Sequence, residues 1–429
     1  MTHVMKRLLI IAAVLTAVFF LSCCASDMPV FSGYRDIPAD FTGIVHAGGT
    51  RTNKEYAYLD YIGAKWILYT FNWTTIEPVQ GEWDFLTYDA IVDRANAAGI
   101  KVLGILAYDN WWLHADKDTR KYIPPEWLPD YLQYVRKTVE HFRGRIGAWC
   151  IWNEPNFHFW KGTDEEFIEL SRQAADAVRE MDSEVILLGG AFNRNVTGLP
   201  EKFIRGLFES GAMDKTDAVA FHPYELNPSR TASLYAQFKK IADDYGYGEK
   251  IWVTEVGYPT GGWYPTKVSE KKFPEYVIKT CVLLAASGSN KLFWFQMFDP
   301  QKRSRGDSED FFGLVRSRRD YTSKGAEAFR LCSVYLPGTS CSILNPAQNG
   351  LPESLRLFLF RGTDGGALVF WNEGAGSKRV HLRLPGVNHA THDPVSGNAN
   401  TIQAETVIKT GKRPVFITWQ GDGEPVIIR

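Results

Sequence analysis

The sequence predicts an α/β fold: a (β/α)8 TIM barrel followed by a small C-terminal antiparallel β domain. Eight short runs rich in β-branched and aromatic residues alternate with longer segments of helical periodicity, which is the pattern of parallel strands joined by crossover helices. Beyond residue 335 the texture changes to short strand-like runs separated by Gly, Pro and Asn. Both observations favour a barrel with a separate all-β domain behind it.

The chain begins with a segment that is not expected to belong to the fold. Lys6 and Arg7 precede an apolar stretch over residues 8–21, which is followed by "SCCAS", so residues 1–26 are predicted to be a signal peptide. The junction before Cys23 and Cys24 resembles the bacterial lipobox and predicts a secreted or cell-envelope lipoprotein, with a soluble secreted protein as the alternative. Residues 27–40 are interpreted as a linker, and the lipid as the only link to a membrane.

The barrel is predicted over residues 41–335. Its strands are expected at residues 42–47, 66–70, 101–107, 147–152, 185–189, 218–221, 250–254 and 291–295. Helical patterns such as "LPDYLQYVRKTVEHFRG" lie between them. The β domain is predicted over residues 336–429, from runs such as "SLRLFLFR" and "PVFITWQ". It is interpreted as packing against the barrel, and a carbohydrate-binding module is the alternative.

Composition restricts the class of partner. The chain has 48 basic and 49 acidic residues without a long run of either sign, which argues against nucleic acid and against an anionic membrane surface. A neutral glycan suits this charge balance better.

The cysteines point away from metal binding. Cys150, Cys281, Cys332 and Cys341 show neither a CxxC pair nor zinc-type spacing, so no metal and no cofactor are predicted. Cys150 and Cys281 lie in apolar runs and are expected to be buried. Cys332 and Cys341 are close enough in sequence to form a disulfide, and two free thiols are the alternative.

Two glutamates stand where the active site of a barrel is expected, at the C-terminal ends of the strands. "IWNEPN" places Glu154 just after the fourth strand, and "IWVTEVGYP" places Glu255 at the end of the seventh. Each carboxylate alone could form a salt bridge with a neighbouring loop. Together, across the mouth of the barrel and among aromatic loops, they suit the cleavage of a glycosidic bond.

These motifs resemble a known group. "WNEPN" followed by "FHFWKGTDEEF", together with "NWTTIEPVQGEWDFLTYD" and "FHPY", is similar to the clan A glycoside hydrolases and most like family 39, the β-xylosidases and related bacterial enzymes that cleave polysaccharides. The resemblance implies a retaining O-glycosyl hydrolase acting on β-linked carbohydrate, with Glu154 as the acid and Glu255 as the nucleophile. Many clan members carry an Arg near the end of strand two, but "WILYTFNW" has none, and Arg51 is a candidate replacement.

The two carboxyls are expected to differ in protonation. Glu154 follows Trp152 and precedes Phe157 and Phe159, so desolvation should keep it protonated and able to donate to the leaving oxygen. Glu255 is expected to remain ionised with the help of hydrogen-bond donors, and to attack the anomeric carbon.

Supporting roles also follow from the resemblance. Asn153 matches the residue that binds the sugar 2-hydroxyl, and His222 and Tyr224 match positions beside the nucleophile. The alternative is that His222 and Tyr224 only cap the end of a strand as polar residues.

Aromatic residues in the strand-end loops are candidate sugar platforms. Trp294 on the eighth strand could form the floor under the sugar or belong to the core. Another loop follows Glu255 closely, so its Trp263 or Tyr264 is expected to contact substrate, and cover by the C-terminal domain is the alternative.

Two other functions are the alternatives to hydrolysis. A non-catalytic glycan-binding barrel on the cell surface would not need a desolvated pair of acids. A transglycosylase would use the same pair but exclude water from the acceptor site.

Overall fold

The computed structural model describes residues 34–45, 52–114, 121–195, 197–262, 267–300, 306–316 and 321–428. The predicted signal peptide, the cysteines of the lipobox-like junction, Arg51, Trp263 and Tyr264 lie outside these residues. Among the described helices, none has the length and apolar character that crossing a bilayer requires.

Eight parallel strands close into a barrel in chain order, which confirms the predicted fold class. The first strand of the chain, β1 (Arg35–Asp36), belongs to another sheet. The barrel strands are β2 (Thr42–Val45), β3 (Trp66–Phe71), β4 (Lys101–Leu106), β5 (Ala148–Ile151), β6 (Ile186–Asn193), β7 (Ala218–His222), β8 (Ile251–Val256) and β9 (Lys291–Phe295). β9 pairs with β2 and so closes the ring.

Helices follow the strands and cover the outside of the barrel. They are α1 (Asn53–Tyr61), α2 (Trp73–Ile76), α3 (Leu86–Ala97), α4 (Leu128–His141), α5 (Asp164–Met181), α6 (Glu201–Glu209), α7 (Pro228–Asp243), α8 (Phe273–Ser287) and α9 (Ala326–Tyr335). Helix α5 shows why they begin where they do, because Thr163 and Glu166 form a capping box that satisfies free N–H groups of the first turn. Helix α8 is almost entirely buried, since the C-terminal domain covers the side that faces away from the barrel.

The N-terminal end of the barrel is filled by large rings and closed by one carboxylate. The rings of Trp66 and Trp252 meet edge to face with centroids 5.2 Å apart. Asp40 accepts hydrogen bonds from the Trp66 indole at 3.1 Å and from Lys101 Nζ at 2.8 Å, and Lys291 Nζ lies 2.8 Å from its other oxygen. Burial acts to raise the pKa of Asp40, but the two lysines outweigh it and lower the pKa to about 2.

The C-terminal part forms two antiparallel sheets. Its strands are β10 (Ser340–Leu344), β11 (Leu355–Gly362), β12 (Gly365–Asn372), β13 (Lys378–Arg383), β14 (Val387–His392), β15 (Ala399–Thr401), β16 (Glu405–Thr410), β17 (Val415–Gln420) and β18 (Val426–Ile427). The larger sheet has the order β1-β10-β11-β12-β17-β14-β15, and the smaller has the order β16-β13-β18. Strand β1 therefore joins the C-terminal sheet, although the sequence assigned its residues to a linker.

The four cysteines of the described chain are free thiols and are buried. The disulfide alternative for Cys332 and Cys341 is therefore not formed in this structure. Cys332 instead contacts the thiol of Cys281, and burial together with this contact raises the Cys332 pKa well above its usual value.

Candidate active site

Glu154 lies just past β5 on a backbone that turns sharply. Trp152 and Glu154 have φ values of 61° and 46°, the left-handed region that residues other than glycine rarely adopt. The Glu154 N–H donates to the Ala191 carbonyl at 3.1 Å, which ties this turn to β6. Such conformations cluster at functional sites because the surrounding structure must hold them in place. The side chain of Glu154 is buried, with 7% of its surface exposed.

Two donors from distant strands hold the Glu154 carboxylate. Asn193 Nδ2 donates to Oε1 at 2.8 Å, and His222 Nδ1 lies 2.7 Å from the same oxygen. His222 had been predicted to lie in the site, beside the nucleophile, but Asn193 had not. The signal for Asn193 was available in principle, because it is the first polar residue after the apolar run of the fifth barrel strand.

Glu255 is the penultimate residue of β8, at the mouth of the barrel. The Tyr224 hydroxyl donates to its Oε2 at 2.9 Å, and His222 Nδ1 lies 3.7 Å from the same oxygen. Burial and the charge of Glu154 raise the pKa of Glu255 to about 7, although His222 and the Tyr224 hydrogen bond act in the opposite direction. The sequence predicted that Glu255 remains a carboxylate, whereas burial brings its pKa into the neutral range.

His222 lies between the two carboxyls and is buried. Its Nε2 lies 2.9 Å from Thr254 Oγ1, which fixes the orientation of the ring. Burial alone would lower the pKa of His222, but the charge of Glu255, the hydrogen bond to Glu154 and the charge of Glu154 raise it above its usual value. The charge states of His222 and Glu255 therefore depend on each other near neutral pH.

The two carboxyls are close together. One oxygen of Glu154, one oxygen of Glu255 and one ring nitrogen of His222 all lie within 4.8 Å of one another. These three atoms are also arranged so that they could bind a metal ion, whereas the sequence predicted no metal site.

Asn153 occupies a buried position beside Glu154. Its Nδ2 donates to the Tyr108 hydroxyl at 3.1 Å, while its Oδ1 has no hydrogen-bond partner within the described part of the chain. A buried amide oxygen without a partner is costly, so a hydroxyl of a bound sugar would satisfy it.

The predicted sugar platform is corrected. Trp294 has no exposed surface, and its ring packs 5.9 Å from the ring of Phe273 in helix α8, so it points out of the barrel into the helix layer. The structure therefore supports the alternative interpretation that Trp294 belongs to the core. The next residue, Phe295, is partly exposed, and its ring lies 6.3 Å from Tyr224 and 5.3 Å from Phe312.

The loop after β9 forms the wall on the Glu255 side. Lys324 Nζ, which is fully buried, bonds both oxygens of Asp299 at 3.0 and 2.8 Å and the Phe311 carbonyl at 3.2 Å. These bonds hold the segment that carries Glu309. Burial, with the nearby charges of Asp307, Glu154 and Asp310, raises the pKa of Glu309 to about 6.

Comparison with known proteins finds similarity to glycosidases. A family model described as beta-galactosidase matches residues 50–158. The chain is 30% identical to a beta-xylosidase of Caldicellulosiruptor saccharolyticus over 121 residues, 25% of each protein. It is 26% identical to endo-1,4-beta-xylanase B of Thermotoga neapolitana over 208 residues, 44% of this chain and 57% of the xylanase. The matches thus span about a quarter and about half of these relatives.

Among solved structures, the chain resembles a family 39 glycoside hydrolase from Bacteroides cellulosilyticus WH2. The TM-score is 0.72 at 18% identity, over 89% of this chain and 81% of the other. The chain has the fold of a clan A glycoside hydrolase. The resemblance to this clan that the motifs predicted is thereby confirmed, and the similar proteins named above are O-glycosyl hydrolases.

Proposed function

We propose that the protein is a retaining glycoside hydrolase that cleaves β-linked oligo- or polysaccharide by double displacement. The observation that carries this proposal is the short distance between one oxygen of Glu154 and one of Glu255 at the mouth of the barrel. Such closeness favours a nucleophile and an acid on either side of one anomeric carbon over an arrangement with a water between acid and base. The beta-xylosidase and xylanase relatives favour substrates of the xylan type.

In the first step, an ionised oxygen of Glu255 bonds the anomeric carbon while the glycosidic C–O bond breaks and Glu154 gives its proton to the leaving oxygen. In the second step, Glu154 takes a proton from water, the water oxygen attacks the anomeric carbon, and Glu255 is released. Since His222 Nδ1 lies between both carboxyls, it is placed to stabilise whichever of them is negative. The positive charge that develops on the sugar in the transition state favours the ionised form of Glu255.

In many clan members an Arg near the end of strand two hydrogen-bonds the nucleophile. Tyr224 takes part of that role here. Its hydroxyl supports the ionised form of Glu255 with a neutral hydrogen bond rather than with a positive charge. A neutral donor offsets burial less than a guanidinium would, which accounts for the raised pKa of Glu255.

The test compares Glu154→Gln on two kinds of substrate. With alkyl or sugar leaving groups, turnover should fall by roughly 10² to 10⁴, because the leaving oxygen needs a proton. With activated aryl β-xylosides the first step should be largely spared, and added azide should restore turnover. Equal loss on both substrates without azide rescue would remove Glu154 from the role of acid.

Product stereochemistry separates the alternatives. The first product seen by NMR should keep the anomeric configuration of the substrate, and a fluorinated sugar should label Glu255. An inverted product would contradict the nucleophile assignment. A glycan-binding barrel would release no product, and a transglycosylase would transfer the sugar to an added acceptor in preference to water.

We also propose that the protein is exported and anchored to the cell envelope by a lipid on Cys23 or Cys24. The apolar stretch and the "LSCC" junction support this proposal. Mass spectrometry of the native N-terminus would test it. An unmodified terminus beyond Cys24 would contradict the anchor.

A further inference from the structure

The flank of the site on the Glu154 side carries an ammonium group without a counter-ion. Lys121 is partly buried, and its Nζ lies 3.8 Å from the centroid of the Phe159 ring and 5.9 Å from that of Tyr108. In the described part of the chain it forms no ion pair within 4 Å. The aromatic rings attract the ammonium, but they offer neither a full negative charge nor good acceptors for its N–H groups.

The position of Lys121 is well defined by its surroundings. The rings of Phe159 and Tyr108 stack at 5.6 Å with an interplanar angle of 14°, and the Tyr108 hydroxyl accepts from Asn153. The Trp152 indole donates to the Phe159 carbonyl at 3.0 Å, and the Lys121 carbonyl accepts from the Lys161 N–H at 3.0 Å. The ammonium thus stands beside a platform that is linked directly to the residue before Glu154.

Three other basic groups in the described part of the barrel mouth are neutralised, unlike Lys121. Arg194 and Arg230 both pair with the buried carboxylate of Glu225, and Lys324 pairs with Asp299. Burial lowers the pKa of Lys121, and the more distant charges of Asp109 and Glu154 act against this effect. Because Lys121 keeps part of its surface exposed, an anion of a bound ligand can reach the ammonium and pair with it.

Positive charge lies on the Glu154 flank of the site, where Lys121 has His158 as its neighbour. Because Glu154 protonates the leaving oxygen, the leaving sugar occupies this flank. An anion on that sugar would be attracted by Lys121.

We propose that the subsite for the leaving group takes an acidic sugar, whose anion is a uronate carboxylate or a sulfate ester held by Lys121. This inference deepens the proposed function and rests on it, because the flank is assigned through the role of Glu154. It replaces the neutral glycan expected from overall charge with a substrate that is anionic at one position.

The first experiment measures kcat/KM for two aryl β-xylosides that differ only in charge, the 4-carboxyphenyl and the 4-carbamoylphenyl compounds. The quantity compared is kcat/KM for the 4-carboxyphenyl compound divided by kcat/KM for the 4-carbamoylphenyl compound. Lys121→Met should lower this ratio about tenfold relative to the native chain, because a charge-assisted hydrogen bond is lost. Lys121→Arg should keep most of the ratio. Lys250→Met is the matched control, since this lysine lies 5.2 Å from the Tyr247 ring at the other end of the barrel and should leave the ratio unchanged.

The second experiment does not depend on turnover. Calorimetric titration of the full chain with D-glucuronate, D-glucose 6-sulfate and D-glucose should show tighter binding of one or both anionic sugars, and Lys121→Met and added salt should remove that preference. The tighter of the two anionic sugars identifies the anion. Binding preference without hydrolysis of any xyloside would reject the proposed activity while retaining the acidic subsite. Equal binding of all three sugars, or an equal loss for both xylosides in Lys121→Met, would overturn the subsite.

Discussion

Two carboxylates at opposite ends of the same barrel have opposite fates. Asp40 at the N-terminal end is surrounded by two lysines and an indole, and its pKa falls to about 2. Glu255 at the mouth has a tyrosine hydroxyl and a more distant imidazole, and its pKa rises to about 7. Burial acts in the same direction on both. The supply of donors and positive charge therefore decides which carboxylate stabilises the fold and which one is kept reactive.

The largest effect is expected from removing the reactive carboxylate. Glu255→Gln should lower kcat by a factor of about 10⁴ or more, because the covalent step loses its nucleophile. The same variant should be more stable at pH 8. The folded state prefers protonated Glu255, so stability in the native chain falls as the pH rises from about 4.5 to about 7, and the gain from Gln should reach roughly 3 kcal/mol above that range.

Urea unfolding of both proteins at pH 4 and pH 8 would measure this gain. The two curves should coincide at pH 4, where Glu255 is protonated in the folded and the unfolded state. A variant that is less stable than the native chain at pH 8 would show that Glu255 contributes to the fold as Asp40 does.

The opposite outcome is expected at the other end of the barrel. Asp40→Asn should lower the free energy of unfolding by about 1 to 2 kcal/mol at pH 7 and should leave turnover unchanged. This range is reduced because Asp40 is partly exposed to solvent. Because the folded pKa is depressed, this stabilisation is present above pH 4 and is lost as the pH falls through about 2. Denaturant unfolding at pH 7 and pH 3 would measure this effect. The difference in free energy of unfolding between the native chain and the variant should be smaller at pH 3. Loss of activity without loss of stability would contradict the assignment.

Tyr224→Phe would sharpen the comparison by removing the hydroxyl donor from Glu255. Since that hydrogen bond favours the ionised form, its loss should raise the Glu255 pKa by about one unit. The acidic limb of the kcat/KM profile, expected near pH 7 in the native chain, should shift upward by the same amount. An unshifted limb with lower kcat would assign Tyr224 to substrate contact alone.

Glu309→Gln should have the smallest effect and the opposite sign. Removing this nearby negative charge should lower the pKa of Glu255 by a few tenths of a unit, because the two groups are separated and partly screened. The acidic limb should move slightly downward at low salt and less at high salt. An upward shift would show that Glu309 acts through another group.

The alternation of strands and helices was sufficient to predict the barrel, because parallel strands buried on both faces appear as unbroken apolar runs. The fifth barrel strand was predicted to end at residue 189 but continues to Asn193. A bulge between Gly189 and Phe192 shifts its register, and Gly190 has a φ of 91°. Such glycines resemble a strand end in a sequence, which is why Asn193 was missed.

The positions of both glutamates could be predicted, but the raised pKa of Glu255 could not. The expectation relied on neighbours in sequence, whereas the groups that act on Glu255 come from other strands and the loops after them. His222, which contacts Glu154, is 68 positions away. The direction of Trp294 was equally undetermined, because side chains alternate along a strand and the register follows only from pairing with β2 and β8.

The short strand β1 links the beginning of the barrel to the C-terminal sheet. Beside it, the Tyr34 hydroxyl donates to Glu424 at 2.5 Å, and rings of the β domain such as Phe358 and Phe360 share one continuous core with the barrel. Heating should therefore melt both parts in a single calorimetric transition, since neither keeps its buried surface without the other. A gene shortened to encode the barrel alone would expose that shared core, so for recombination and engineering the two parts behave as one inseparable module.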